Sequence, residues 1–299
     1  MECSVEWPVD DKRDSGISLK SDRKTASGLD QEVPVIDFQG LEAQEEKLMM
    51  QAMIENQVNN RYFNQNAPHL KYRETVVLWL IDTVQKLNYK KATMYLAVSY
   101  FDAINSLSLV NIDQVKLVAF VCLYLAAKLE QKHGEIPVIS DCLALFENQF
   151  SRKDFETCEA LIFKMLKYRL NAVTPFHFLS YFLTKDIVLA EECESLNGDD
   201  FPAFKQRFVL ESFKLLERSL MNYDFYRYTS LAVAAAVVAA MRNRLSMRTA
   251  WNKHLEDLTM VSYESIGSCT FSILELLDEQ SPGGALPRDS VSPVGGVSH

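Results

Sequence analysis

Lys128 and Glu130 interrupt an otherwise apolar run, L-Y-L-A-A-K-L-E-Q over residues 123–131. A lysine is seldom buried without a partner. Either Lys128 marks where a helix surfaces, or it presents a directed donor at the mouth of a groove. The groups that usually carry covalent or metal chemistry are scattered. The five histidines, His69, His133, His177, His254 and His299, do not cluster with cysteine or carboxylate at metal-ligand spacing. The six cysteines, Cys3, Cys122, Cys142, Cys158, Cys193 and Cys269, include no C-x-x-C pair. There is no G-x-S-x-G, no G-x-x-x-x-G-K-[ST] and no kinase signature set. This inventory points away from an enzyme, and no catalytic residue, metal or cofactor is expected. His177, two residues after Pro175, reads as a core or capping histidine rather than a general base.

These groups must be positioned by a chain of 299 residues, 48% hydrophobic and 24% charged, which is a globular composition with room for two domains. The net charge of −9, from 40 acidic against 31 basic residues, argues against a protein that neutralises nucleic-acid phosphates. The longest apolar run, residues 231–241, has 11 residues, whereas a membrane-spanning helix needs about 20. The start, M-E-C-S-V-E-W-P-V-D-D, is acidic and broken by proline, unlike a signal peptide. Scattered cysteines read as free thiols in a reducing compartment. The expectation is a soluble protein of the nucleus or cytoplasm, with neither nucleic acid nor membrane as partner.

Solvated tails are expected over residues 1–40 and 281–299, with helical periodicity between them. The Ser281-Pro282 and Ser292-Pro293 pairs are either incidental or targets of a proline-directed kinase. A leading helix is expected over 41–62, then helices over 69–87, 92–107, 113–131 and 138–147, and a fifth opened by the capping-box spacing Ser151-x-x-Asp154. In that fifth helix Phe155, Cys158, Leu161, Ile162, Met165 and Leu166 form a stripe read as core. Thr174-Pro175 reads as an N-cap followed by proline at the first helical position. It opens a second series over 175–189, 203–221, 230–243, 250–258 and 263–277. Each series has one apolar, alanine-rich central helix, at 118–127 and 231–240. The spacing predicts an all-α chain of two tandem five-helix units, 41–173 with the leading helix and 174–280, with no strands.

Three stretches carry a resemblance. Y-R-E-T-V-V-L-W-L (72–80), M-Y-L-A-V-S-Y-F-D (94–102) and L-Y-L-A-A-K-L-E-Q resemble successive helices of a cyclin box. The five positions of that family's signature are matched by Arg73, Asp102, Leu117, Lys128 and Glu159, with separations of 29, 15 and 11 residues between the first four. Residues 60–280 are similar to two cyclin folds, in wording nearest the A, B and J types. The leaning is J-like, because residues 1–40 hold no R-x-x-L signal; the matches at 207–210 and 242–245 fall in expected helices.

The resemblance implies a regulatory subunit that binds and activates a cyclin-dependent protein kinase as a heterodimer, in cell-cycle control. Catalysis would belong to that partner. The alternative is a cyclin-fold scaffold or transcription-associated protein without kinase activation. Arg73 and Asp102, which the residues alone leave as a pair or as two unrelated surface charges, would lock the first two helices together. Lys128 and Glu159 would face the kinase, with Leu129, Glu130, Phe163, Tyr168 and Leu170 around them. Phe163 and Tyr168 fall outside the core stripe, so they either meet a partner or fill the interior. A groove for docking peptides of substrates or inhibitors would involve Tyr72, Val76, Trp79, Asp82 and Lys116. There Tyr72, Thr75 and Val76 replace the usual larger aliphatic pattern, and Lys116 replaces an uncharged amide.

Overall fold

The computed structural model describes residues 42–58, 63–107, 110, 112–136, 139–144, 149–193 and 201–278. The expected tails and both Ser-Pro pairs lie outside them. The described residues form eleven α-helices, and their β-pairing is limited to two isolated bridges, Gln57 with Val173 and Cys193 with Met247.

Helix α1, Ala43–Glu55, starts at a capping box in which Glu45 Oε2 accepts from the Glu42 N–H at 3.0 Å. It ends well before residue 62. The chain leaves the helix at Asn56 and pairs with the later linker instead: Val58 N–H donates to Val173 O at 3.0 Å and Val173 N–H to Asn56 O at 2.8 Å. The first unit follows as α2 Leu70–Lys86, α3 Lys91–Leu107, α4 Val115–Glu130, α5 Ile139–Ala144 and α6 Arg152–Met165. Asn88 makes the α2–α3 turn in the left-handed region, φ 53°, which asparagine tolerates better than most residues.

Helix α4 is the axis of this unit. Eleven of its 16 residues, from Val115 to Ala127, are buried, and it packs against α2, α3 and α6. With apolar residues on every side it has no solvent face of its own. Lys116 and Tyr124 are half-buried at its margin, and its last turn, from Lys128 onward, comes out of the core.

The second unit comprises α7 Pro175–Leu183, α8 Phe201–Met221, α9 Ser230–Arg244, α10 Lys253–Thr259 and α11 Tyr263–Asp278. Its axis is α9, whose alanines let α7, α8 and α11 approach closely. The Thr174 cap is as the sequence predicts, but its box is closed by a histidine: the Thr174 N–H donates to His177 Nδ1 at 3.2 Å. Helix α7 stops at Leu183, six residues short of expectation. Ile187 and Val188 are buried outside any helix, and the Ile187 carbonyl accepts from Arg242 Nη1 at 2.6 Å.

The two units are joined through α3. Tyr95 stacks on Phe176 with ring centroids 5.2 Å apart, and Lys91 pairs with Glu217 at 2.8 Å. An ion pair between Glu46 and Lys185 ties α1 to the end of α7. Among the described cysteines, Cys122 and Cys269 are buried, Cys158 and Cys193 half-buried, and all four are free. Burial pushes the Cys269 thiol up to about 12, and burial together with the Glu159 charge pushes Cys158 up to about 11. Both thiols are therefore protonated at neutral pH and are poor nucleophiles.

Candidate functional site

The five signature-like residues divide into two constellations with opposite environments. Arg73 and Asp102 lie inside the molecule. On α2 the inward residues are Arg73, Val76, Val77, Leu80, Thr83 and Val84, a helical stripe that carries the arginine with it into the core. Arg73 Nε donates to Asp102 Oδ1 at 2.8 Å and Nη2 to Oδ2 at 2.9 Å, a two-pronged pair across α2 and α3. The guanidinium also donates from Nη1 to the Met221 carbonyl at 2.9 Å and from Nη2 to the Leu220 carbonyl at 3.0 Å. These carbonyls close the C-terminal end of α8, where a cation suits the helix dipole. Arg73 therefore joins three helices and both units.

Tyr223 lies beneath the guanidinium, 5.2 Å from its carbon to the ring centroid, and meets the buried His69 ring edge-on at 5.3 Å. His69 Nε2 stands 3.4 Å from Asp102 Oδ1. Burial alone would raise the Asp102 carboxyl. The Arg73 charge, with the donors of His69 and Arg73 turned toward it, outweighs burial and holds it below the usual carboxylate range.

The second constellation is at the surface. Lys128 Nζ donates to Glu159 Oε1 at 2.6 Å, bridging the end of α4 to the middle of α6. The lysine side chain keeps 40% of its accessible surface and the glutamate 18%. Leu129 beside it is 44% exposed. Phe163, half-buried and one turn after Glu159 on α6, stacks on Tyr168 at 6.4 Å. Tyr168 is 75% exposed, and Lys167 and Tyr168 both adopt left-handed backbone conformations, φ 53° and 59°. Each such residue other than glycine costs about 1–2 kcal/mol. Here the turn closes α6, with the Tyr168 N–H donating to the Phe163 carbonyl at 2.8 Å. Leu170 follows, half-buried, its carbonyl accepting from the Tyr100 hydroxyl.

Glu130 differs from its neighbours. Its carboxylate oxygen Oε1 lies 3.2 Å from His177 Nε2, and its carbonyl accepts from Lys90 Nζ at 2.7 Å. Because His177 Nδ1 accepts from the Thr174 N–H, the Nε2 carries the proton donated to Glu130. In this structure Glu130 links the end of α4 to the start of α7.

The residues considered for peptide docking do not form one open surface. Val76 is fully buried, facing α3 and α4 with Arg73, Val77 and Leu80, so its place in a surface groove is corrected to the core. Tyr72 is half-buried and donates its hydroxyl to Asn105 Oδ1 at 3.0 Å. Trp79 is half-buried against Phe120, with centroids 6.3 Å apart. Asp82 is exposed and paired with Lys86 at 2.9 Å, and Lys116 is half-buried. Leu78, which the sequence analysis passed over, is the exposed apolar residue of this helix face. A second correction concerns Leu161, expected in the core and 55% exposed, because it lies on the flank of α6 away from Phe155 and Ile162.

Sequence reasoning also missed Tyr124, half-buried one turn before Lys128, whose ring centroid is 4.5 Å from Lys128 Nζ. The signal was the i,i+4 spacing on one helix. Among the described residues no group of three or more His, Cys, Asp or Glu side chains could hold a metal, and no helix is long and apolar enough to cross a membrane.

Two tandem all-α units with this buried pair and this exposed pair define a class, and comparison with known proteins gives its name. The cyclin N-terminal domain family matches residues 45–171 and the cyclin C-terminal domain family residues 173–288. The chain belongs to the cyclin family. Cyclin-A1-2 of Arabidopsis thaliana is 26% identical over 72% of this chain and 46% of its own length. Cyclin-B2-2 of Oryza sativa is 25% identical over 75% of this chain and 49% of its own length. This chain thus spans about half the length of these curated relatives. Its fold is similar to that of a viral cyclin from herpesvirus saimiri, with TM-score 0.56 and 14% identity over 79% of this chain and 96% of that one.

Proposed function

We propose that this chain is the regulatory subunit of a cyclin-dependent protein kinase, acting in cell-cycle control in the nucleus or cytoplasm. The observation that carries the reading is the face built by Lys128, Leu129, Glu159, Phe163, Tyr168 and Leu170. It combines exposed apolar anchors with a half-exposed charged pair, and it is displayed by a strained turn. Backbone strain held at a surface costs stability and persists where function uses it. A surface of aromatic and leucine anchors around a charged pair that a partner would desolvate has the composition of an interface hot spot.

In the mechanism this implies, Lys128 and Glu159 exchange part of their mutual contact for hydrogen bonds to main-chain groups of the kinase. Leu129, Phe163 and Tyr168 bury against its movable helix. Tighter binding to the active conformer shifts the kinase population toward it. Glu130, engaged with His177, supports the end of α4 rather than reaching across the interface. The peptide-docking role is confined to the surface of Trp79, Asp82, Lys116 and Tyr72, since Val76 has none.

The test is the charge swap Lys128→Glu with Glu159→Lys, which keeps an attractive pair and so the fold, while reversing both charges offered to a partner. The swapped chain is expected to lose capture and activation of cyclin-dependent kinases that the wild type activates. Equal activation by both chains would refute the site.

A further inference from the structure

Lys128 is held from two sides. Glu159 Oε1 takes its ammonium at 2.6 Å, and the Tyr124 ring lies under the same ammonium, its centroid 4.5 Å away. Tyr124 is half-buried, and its own position is fixed edge-on by Phe155 at 5.2 Å and 80°. Phe155 is fully buried and contacts Phe120 at 6.3 Å, which in turn meets Trp79 at 6.3 Å. A row of aromatic rings therefore runs from the core to the underside of the one cationic group on this face that the proposed function uses.

A lysine side chain left to itself samples many rotamers and loses that freedom on binding. A cation over an aromatic face is attracted by the ring quadrupole, and the attraction strengthens as water is excluded. Both effects favour a partner that meets Lys128 already extended along α4.

We infer that Tyr124 is a positioning residue for the interface. Its ring preorganises Lys128 for a hydrogen-bond acceptor on the partner, without itself needing to touch the partner. This inference rests on the kinase-binding reading of Lys128. It adds that the ring face of residue 124, not only the charge of residue 128, sets affinity.

The experiment compares Tyr124→Phe, which keeps the ring, with Tyr124→Leu, which keeps apolar volume and loses it. In the free protein, lysine ε-methylene NMR signals report the ring directly. The Lys128 resonance is expected to be displaced by the ring current in the wild type and in Tyr124→Phe, and to return to the ordinary lysine position in Tyr124→Leu. Affinity is then measured against a panel of purified recombinant cyclin-dependent kinases. Tyr124→Phe should bind like the wild type and Tyr124→Leu about three- to tenfold more weakly, the range expected for losing one preorganised side chain. The loss should vanish in a Lys128→Met background.

An unshifted Lys128 resonance in the wild type, or an equal loss from Tyr124→Leu with and without Lys128, overturns the inference while leaving the site intact. Wild-type binding that Lys128→Met does not weaken overturns the site reading itself. Failure of the wild type to bind any kinase in the panel removes the proposed function and the inference together.

Discussion

Two of the acid–base pairs among the described residues join a cation to a carboxylate in opposite settings. Arg73 with Asp102 is buried, bidentate and further bonded to two backbone carbonyls of the other unit. Lys128 with Glu159 is a single contact at a half-exposed surface. In the first, every polar atom of the guanidinium that the geometry engages is spent inside the chain, so it holds the fold and offers nothing to a partner. In the second, water screens the attraction, the pair adds little stability, and the donors of the lysine remain available. Residue type at a given spacing identifies both pairs. Burial decides which is a bolt and which stays open to solvent.

The largest loss is expected at the buried pair. Arg73→Ala leaves Asp102 buried without its cation, and the loss should be roughly 3 to 5 kcal/mol in chemical denaturation. Arg73→Lys should recover only a small part, because an ammonium cannot fork to both carboxylate oxygens and still reach Leu220 and Met221. Arg242 offers a parallel test in the second unit. It is fully buried, donating to the Ile187 carbonyl at 2.6 Å and to Glu192 at 2.9 Å. Arg242→Met removes those bonds and the one to the Thr249 carbonyl, so a smaller but clear loss of thermal stability is expected.

Acid acts on the buried pair through Asp102. The Asp102 carboxyl is depressed in the folded state, so its stabilisation is present above the unfolded carboxylate value, about 3.9, and is lost as pH falls through the lower folded value. The stability gap between wild type and Asp102→Asn should therefore be widest near neutrality and close progressively below about pH 4, as followed by denaturant titration at each pH. The smallest effect belongs to the exposed pair: Lys128→Ala should change stability by less than about 1 kcal/mol. A loss as large as that of Arg73→Ala would show that the two pairs do not differ in kind.

Much of this was legible in the sequence because it follows from periodicity. The apolar faces of α3 and α4, the Thr174-Pro175 start of α7 and the two-unit order required only helical spacing and caps. What spacing could not show was how far each helix ran once the chain had a better use for its backbone. Asn56 to Val58 leave α1 to pair with Val173, and Ile187 leaves α7 to satisfy Arg242. Within the candidate site, Lys128 was singled out by its place in an apolar run and Glu159 through the resemblance, but their mutual contact and the Tyr124 ring depend on rotamers that no spacing specifies. Val76 and Leu161 were misplaced for different reasons: the resemblance put Val76 in a surface groove although the inward stripe of α2 carries it into the core, and Leu161 lies at the edge of the α6 stripe, where a modest rotation of the helix decides between core and solvent.

On the proposed reading, a partner kinase is met by the end of α4 and the turn after α6. Hydrogen–deuterium exchange on the complex with a purified cyclin-dependent kinase tests it most directly. The account predicts that residues 124–131 and 159–170 gain protection on binding, while residues 69–73 and 102, already locked in the core, do not change. Protection confined to α9, α10 and α11, with those two segments unaltered, would contradict it.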